Sequence, residues 1–311
     1  MKSELNRTYS EVTEFILLGF RPPPKLQILL FVVFLLLCMV TVVGNISMVT
    51  VIKVDSRLQM PMHFFLRKVS YLDPCYSTVI APNTLAKFFF NEKNIFYNGC
   101  VAQFLFFALC VTTESFLLAV MAFDRFLVPC SPLLYPVHMS QKVCVPLVTG
   151  SCICRCTYSM TQTGFTFSLR FCRENRLDSF FSDVPALIKI SCADSFVKDI
   201  VLFILSALIT MTTTTDILVS YASILSTVLK IPSTHGRSKT FSTCGPQIPV
   251  VSSFYGTVFF IHAQPGAISS PEQSKMVAVL YTLIIPMLNP LIYSVRNRDV
   301  IGAVKRILHR R

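Results

Sequence analysis

Seven apolar stretches of membrane-spanning length constrain this chain more than any other feature of its sequence. They cover residues 26–52, 61–81, 99–128, 143–163, 199–229, 241–261 and 276–293. A helix rises about 1.5 Å per residue, so about 20 apolar residues cross a hydrocarbon core of about 30 Å. Only 14% of the residues are charged, which leaves too little polar surface for a soluble protein of 311 residues. The sequence therefore predicts an all-α membrane protein, built as a seven-transmembrane helix bundle.

Charged residues interrupt two of these stretches and also orient the chain. Arg67, Lys68 and Asp73 fall in the second stretch and Arg155 in the fourth, so hydropathy alone allows six or seven spans. Seven spans with an external N-terminus place fifteen basic and three acidic residues on the inner loops and tail, as the positive-inside rule expects. The net charge of +12 then requires no nucleic-acid partner. The predicted divisions are an extracellular N-terminus (1–25), a seven-transmembrane receptor domain (26–293) and a cytoplasmic amphipathic tail (294–311).

The two ends of the chain carry features of their own. Asn6 begins an N-glycosylation sequon in the predicted external segment, and a second sequon, at Asn45, lies inside the first span. After the seventh span, apolar residues recur at spacings of three and four among basic residues, at Val300, Ile301, Val304, Ile307 and Leu308. This pattern predicts a short amphipathic helix on the lipid of the inner leaflet.

An acid and an arginine, Asp124 and Arg125, stand side by side where the third span meets the basic face. Such a pair can hold a helix bundle shut and then release its arginine to a cytoplasmic partner. Three further motifs stand in order along the chain: Gly44-Asn45 in the first span, Asp73 in the second, and Asn-Pro-Leu-Ile-Tyr at 289–293 in the seventh. Together they resemble the class A G-protein-coupled receptors.

A narrower resemblance rests on longer segments. Residues 60–66, 121–125, 220–221, 239–244, 254–257 and 286–290 are similar to those of vertebrate olfactory receptors, and the similarity runs from about residue 14 to 305. Residues 15–20 and the loop between the fourth and fifth spans resemble the terrestrial branch. The resemblance implies a receptor for small, largely apolar volatile odorants, at the plasma membrane of sensory cilia. It also implies a stimulatory olfactory-type G protein that raises cAMP.

The resemblance assigns the switch residues. It implies that Asp124 neutralises Arg125 at rest and that the arginine reaches the G protein on activation. Tyr221 and Tyr293 are expected to bridge the inner helix ends when the bundle opens, and Asn289 and Pro290 belong to the same switch. The structural alternative is an arginine that extends to the lipid interface.

Buried acids are functional candidates because an ionised group at the bilayer centre costs about 2.5 to 3.5 kcal/mol on insertion scales. Asp73, Glu114 and Asp216 are the three in this chain. The first two, with Asn45 and Asn289, are predicted to form a buried polar cluster that holds water or a sodium ion. A purely structural hydrogen-bond network is equally compatible with these residues.

The predicted ligand pocket is apolar, with a few hydroxyls and one imidazole. Spacing on one helix face and the resemblance together give Phe107, Ala108, Val111, Thr112, Leu205, Ser206, Ile209, Tyr255, Val258, Phe259, His262 and Thr282. Such a wall suits a small hydrophobic molecule with one or two hydrogen-bonding groups. Phe107 stands where aminergic receptors carry an aspartate, so a biogenic amine is not expected.

The cysteines depart from the pattern that the resemblance implies. Phe180-Phe181 is followed by Ser182, where the family normally has a cysteine, and three outer cysteines remain: Cys100, Cys172 and Cys192. One alternative is a disulfide between Cys172 and Cys192 that leaves Cys100 out. The other joins Cys100 to one of them.

Other substitutions bear on signalling. Pro246 and Pro249 flank Gln247, where a histidine is usual, and predict a kinked or broken inner half of the sixth span. Phe126 and Pro129 alter the sequence after Arg125. These departures keep open a signalling-impaired member of the olfactory receptor family, beside a class A receptor for a non-odorant small molecule.

Two other protein classes fit the sequence less well. A polytopic transporter predicts repeated halves or paired broken helices, and no internal repeat is visible. An enzyme is not expected, because the five histidines have no metal-binding spacing and no catalytic motif occurs. The sequence likewise calls for no cofactor.

Overall fold

Long helices dominate the computed structural model. It describes residues 14–17, 23–58, 61–89, 93–130, 135, 141–169, 171, 176–177, 187, 190–191, 196–230, 233, 237, 244–245, 247–263 and 279–309. The helices are α1 (Pro24–Val54), α2 (Pro61–Phe89), α3 (Tyr97–Cys130), α4 (Gln141–Phe167), α5 (Phe196–Lys230) and α6 (Gln247–Ala263). Helix α7 includes a π-helical turn, Leu280–Ile284, and continues as an α-helix, Ile285–Arg296. Helix α8 is Arg298–His309.

These helices stand where the seven apolar stretches and the amphipathic tail placed them, so the predicted fold class is confirmed. Helices suit lipid because every backbone N–H and C=O is bonded within the segment. Among the described helices, three are long and apolar enough to cross a membrane on length and composition alone: Lys25–Val54, Tyr97–Cys130 and Phe203–Lys230. Polar residues in the others, such as Asp73 in α2 and Arg155 in α4, lower their hydropathy.

A small sheet joins three segments that are distant in sequence. Strand β1 (Glu14–Leu17) lies between β2 (Lys93–Phe96) and β3 (Arg176–Leu177). It pairs antiparallel with β2 and parallel with β3. We call the end of the bundle that carries this sheet the sheet end, and the end that carries α8 the α8 end.

An aromatic and aliphatic cluster holds β1 against the sheet end of α3. Phe15 is fully buried beside Cys100 and Phe104 of α3. Its ring centroid lies 6.0 Å from that of Tyr97 in a stacked arrangement and 5.3 Å from that of Phe171, edge to face. Aromatic pairs of this geometry add to the stability that burial supplies. The segment that precedes α1 is therefore part of the packed structure.

The largest core cluster lies toward the α8 end. It joins buried residues of α1, α2, α3, α5, α6, α7 and α8, among them Met48, Phe65, Leu118, Phe254 and Tyr293. Gly44 allows α1 to approach α7 closely, because a Cβ atom at this position would lie 3.1 Å from Cγ of Pro290.

An ion pair fixes α8 to the link between α1 and α2. The Arg306 guanidinium donates to Asp55 Oδ2 through Nε at 3.0 Å and Nη2 at 2.6 Å. This hydrogen bond lowers the pKa of Asp55, so the pair persists at neutral pH and is lost only as acid protonates the carboxylate. Val300 and Ala303 of α8 are buried, while Lys305 on its other face is exposed. The helix is amphipathic, as its sequence predicts.

Candidate functional site

A buried polar cluster joins α2, α3 and α7. Asn289 donates through Nδ2 to both carboxylate oxygens of Asp73, at 3.4 and 3.2 Å, and to Glu114 Oε1 at 3.5 Å. All three side chains are almost completely buried. The structure therefore brings together the two predicted acids and both predicted amides, because Asn45 also lies against the Asp73 carboxyl.

The other amide, Asn45, links α1 to α7. Its Nδ2 donates to the backbone carbonyl of Thr41 at 2.9 Å and to that of Pro286 at 3.3 Å. The amide oxygens of both asparagines, Asn45 Oδ1 and Asn289 Oδ1, are buried and have no hydrogen-bond partner within the described residues. These two acceptors leave the cluster with unused capacity for a water molecule or a cation.

Asp124 and Arg125 are both buried at the α8 end, but their partners differ from the predicted ones. Among the described residues there is no ion pair between them. Asp124 instead accepts a hydrogen bond from the Tyr135 hydroxyl at 3.0 Å, and Arg125 donates through Nη2 to the sulfur of Met62 in α2. Adjacent residues on a helix point in different directions, which explains why the two groups reach different neighbours.

Two tyrosine hydroxyls lie near this arginine without hydrogen-bond partners in the described structure. Tyr221 is half-buried and Tyr293 is 2% exposed, and both belong to or pack against the core cluster at the α8 end. Both hydroxyl oxygens are buried and unsatisfied within the described residues. Because buried hydroxyls normally find partners, these two have capacity for a water molecule or for a rearranged neighbour.

Two polar contacts tie α6 to α3. Gln247 Nε2 donates to the Leu118 carbonyl at 3.0 Å, with both groups buried, and the Tyr255 hydroxyl reaches the Ser115 carbonyl at 3.5 Å. Gly245 is in a turn and α6 begins at Gln247, with Pro249 in its first turn. Sequence reasoning treated Gln247 only as a substitution for histidine and missed this contact.

The predicted pocket residues lie on α3, α5, α6 and α7. Ala108, Thr112 and Thr282 are buried, and Phe107 and Val111 pack with the cluster around Ile80 and Cys110. The half-buried or exposed ones are Leu205, Ser206, Ile209, Val258 and Phe259, the last with 41% of its surface exposed. The Ser206 hydroxyl lies 3.1 Å from that of Tyr158 in α4, a neighbour that the sequence did not indicate. The side chain of His262 lies outside the described part of the chain.

Of the remaining predicted positions, some are described by the structure and others lie outside the described residues. Cys100 is fully buried in the cluster around Phe15. Cys172, Cys192 and the sequon at Asn6 lie outside the described residues, so the disulfide and the glycan remain predictions. Asp216 is exposed on α5, away from the polar cluster that holds the other two acids.

Two charged residues within the apolar spans have hydrogen-bond partners that the sequence did not reveal. Arg155 of α4 donates through Nη1 to the Thr113 hydroxyl of α3 at 2.6 Å. Tyr135, in the segment between α3 and α4, supplies the partner of Asp124. Neither contact has a signal in local spacing, because each joins residues on separate structural elements.

Comparison of the sequence with known proteins identifies the family to which the chain belongs. Residues 34–311 match the olfactory receptor family. The chain is 51% identical to mouse (Mus musculus) olfactory receptor 9S13, with 94% of this chain and 88% of that protein covered. It is 48% identical to two human (Homo sapiens) proteins: olfactory receptor OR9H1, with 97% and 98% covered, and olfactory receptor 9K2, with 97% and 90% covered. This is a family of membrane-embedded, multi-pass receptors and not of enzymes, which confirms the prediction of a non-enzymatic protein. With its seven helices, its buried polar cluster and its helix-end arginine, the chain belongs to the olfactory receptor family.

Proposed function

We propose that this olfactory receptor binds a small, largely apolar volatile molecule and activates a stimulatory olfactory-type G protein, which raises cAMP. Family membership supports an odorant ligand and G-protein coupling. The observation that carries the coupling mechanism is the burial of Arg125 at the α8 end, where its guanidinium donates to the sulfur of Met62. The proposal includes a location in the plasma membrane of sensory cilia, with the N-terminus outside.

The mechanism starts at the predicted pocket and ends at Arg125. A ligand near Tyr255 and Phe259 alters the position of α6, whose contacts with α3 run through Tyr255 and Gln247. Outward movement of α6 exposes Arg125 to the G protein. The unsatisfied hydroxyls of Tyr221 and Tyr293 then bridge the separated helix ends.

Arg125→Ala is expected to abolish odorant-evoked cAMP at an unchanged surface level. The measurement is a cAMP reporter assay with a mixed odorant panel, in cells that carry olfactory chaperones, with surface display read from an N-terminal tag. Arg67→Ala is the matched control. It removes an arginine of α2 that also lies toward the α8 end of the bundle, and it should leave the cAMP response intact. A full response from Arg125→Ala would exclude the role given to Arg125.

Impaired signalling is a second candidate, supported by Ser182 in place of the usual loop cysteine. The same assay tests it with a Ser182→Cys variant. Surface display and a cAMP response in the original chain would show that it tolerates the missing cysteine. Intracellular retention of the original chain, with rescue by Ser182→Cys, would favour the impaired receptor.

The polar cluster is proposed to hold a sodium ion. Asp73 and Glu114 supply carboxylates, and the unused Oδ1 atoms of Asn45 and Asn289 supply amide oxygens, which are the ligands that hard cations prefer. Exchanging sodium for N-methyl-D-glucamine should lower the melting temperature of the purified receptor, and Asp73→Asn should remove the difference. Equal melting temperatures in the two salts would favour the purely structural network.

A further inference from the structure

The face of α4 that packs on α3 is unexpectedly polar. Arg155 lies near the middle of α4, and Ser159 and Thr166 follow it by four and eleven residues, so the three share one side of the helix. Ser159 and Thr166 are fully buried, and Arg155 is half-buried. Arg155 is therefore expected at the depth of the hydrocarbon core, whereas Thr166 lies one residue from the end of α4.

The hydrogen-bonding capacity of this face is mostly unused. Arg155 has one hydrogen bond, from Nη1 to Thr113, and among the described residues no carboxylate lies within 4.0 Å of its guanidinium. Its Nε is buried without an acceptor, and the hydroxyl oxygens of Ser159 and Thr166 also have no partner within the described structure. Buried polar groups in folded proteins nearly always have partners, and a charge inside a membrane is functional by default.

This face adjoins the predicted odorant pocket. The Tyr158 hydroxyl, on the residue three positions after Arg155, lies 3.1 Å from that of Ser206, one of the predicted pocket residues of α5. Thr113, the partner of Arg155, belongs to α3, which supplies another part of the predicted pocket wall. A ligand between α3, α4 and α5 can therefore place a polar end at Arg155 and an apolar body against the pocket wall.

We propose that Arg155 binds the carboxylate of an aliphatic acid, so that apolar carboxylic acids are the ligand class of this receptor. A guanidinium is always charged, and its planar fork matches the two oxygens of a carboxylate. A singly charged acid with an apolar chain suits this depth better than a doubly charged phosphate. This inference rests on the proposed function, because it names the ligand of the same pocket.

Direct binding tests the inference without any signalling step. The full-length receptor is purified into nanodiscs of uncharged phosphatidylcholine and titrated with labelled decanoic acid and with methyl decanoate, which has the same chain but no charge. We expect the acid to bind at least tenfold more tightly than the ester. Arg155→Met should abolish that preference, and Arg155→Lys, which keeps the charge but not the fork, should retain part of it.

Two results would overturn the inference. Equal affinities for acid and ester in the unaltered chain do so on their own, even where Arg155→Met fails to fold. An unchanged preference in a folded Arg155→Met variant, verified by its melting temperature, does so as well. If the acid does not bind while neutral odorants still raise cAMP, the inference fails and the proposed function stands.

Two further arms identify the source of the acid. A cAMP response to added decanoate that is lost in Arg155→Met and kept in Arg155→Lys supports an acidic odorant. A fatty acid that co-purifies with the receptor, but not with Arg155→Met, supports an acid taken from the bilayer. Either the Arg155-dependent cAMP response or the co-purified fatty acid supports a carboxylate site at Arg155. If neither is observed and decanoic acid and methyl decanoate bind equally well, the inference is overturned.

Discussion

At the scale of single residues, the contact between Gln247 and Leu118 bears most directly on signalling. It joins the first turn of α6 to α3 through a buried hydrogen bond of 3.0 Å. If α6 moves outward on activation, this bond must break. A buried hydrogen bond contributes about 0.5 to 1.5 kcal/mol, which corresponds to a change of about 2- to 12-fold in a two-state equilibrium. Gln247 is therefore expected to hold the inactive arrangement.

Gln247→Met should raise basal cAMP by about 2- to 10-fold, because methionine keeps the length of the side chain but cannot donate to the Leu118 carbonyl. The measurement is ligand-free cAMP normalised to surface receptor. Ile248→Ala changes the adjacent, exposed residue and should leave basal cAMP unchanged. Unchanged or lower basal cAMP in Gln247→Met would show that this bond does not restrain α6.

At the scale of elements, β1 is the least expected part of the structure. In the sequence, residues 15–20 supported only the resemblance to the terrestrial branch and predicted no strand, yet β1 is the central strand of the sheet. Its parallel partner β3 belongs to the α4–α5 connection, the same connection that has lost its usual cysteine at Ser182. Backbone pairing and the burial of Phe15 thus hold Arg176 and Leu177, which belong to a connection for which the predicted disulfide framework is incomplete.

Phe15→Ala should lower surface display and the melting temperature, since removing a buried phenylalanine side chain costs about 3 to 5 kcal/mol. Phe96→Ala is the matched control: it changes a phenylalanine of the same sheet that is 71% exposed. Flow cytometry of tagged receptor and a thermal-shift assay measure the two effects. Similar values for Phe15→Ala and Phe96→Ala would mean that β1 contributes little to the packed structure.

At the scale of the whole molecule, the charge distribution predicts the orientation in the membrane. The basic residues concentrate at the α8 end, so this end is expected to face the cytoplasm and the sheet end to face outward. Of the two sequons, Asn45 is fully buried within the bundle and bonded to the Pro286 carbonyl, so Asn6 is the predicted glycosylation site.

The expected glycan gives a direct test of orientation. Receptor expressed in mammalian cells should shift to lower apparent mass on treatment with peptide N-glycosidase F, and Asn6→Gln should remove that shift entirely. Asn45→Gln, although it also deletes a sequon, should retain the shift. A chain without any glycan at Asn6 would argue against an external N-terminus.

The sequence predicted the helices, which depend on the length of apolar runs. It missed the strands and the side-chain contacts between residues on separate elements. The helices follow from runs of apolar residues, and the predicted second span, 61–81, is shorter than α2, which includes Pro82 and continues to Phe89. Asp73, Glu114 and Asn289 were expected to meet, and they do. Strands of two to four residues carry too little periodicity to be recognised, and the contacts of Asp124 with Tyr135 and of Arg155 with Thr113 join separate elements.

The π-helical turn of α7 changes how this helix must be mapped. The Ile285 amide bonds to the Leu280 carbonyl, five residues back instead of four, so one extra residue is accommodated in this turn. A helical wheel drawn at 100° per residue through 279–296 therefore misplaces every position on one side of the turn by about one residue. Thr282 lies within the turn and Asn289 beyond it, so the two cannot be assigned to faces from a single projection. A mutational scan of α7 should therefore use two separate helical-wheel projections, one on each side of Ile285.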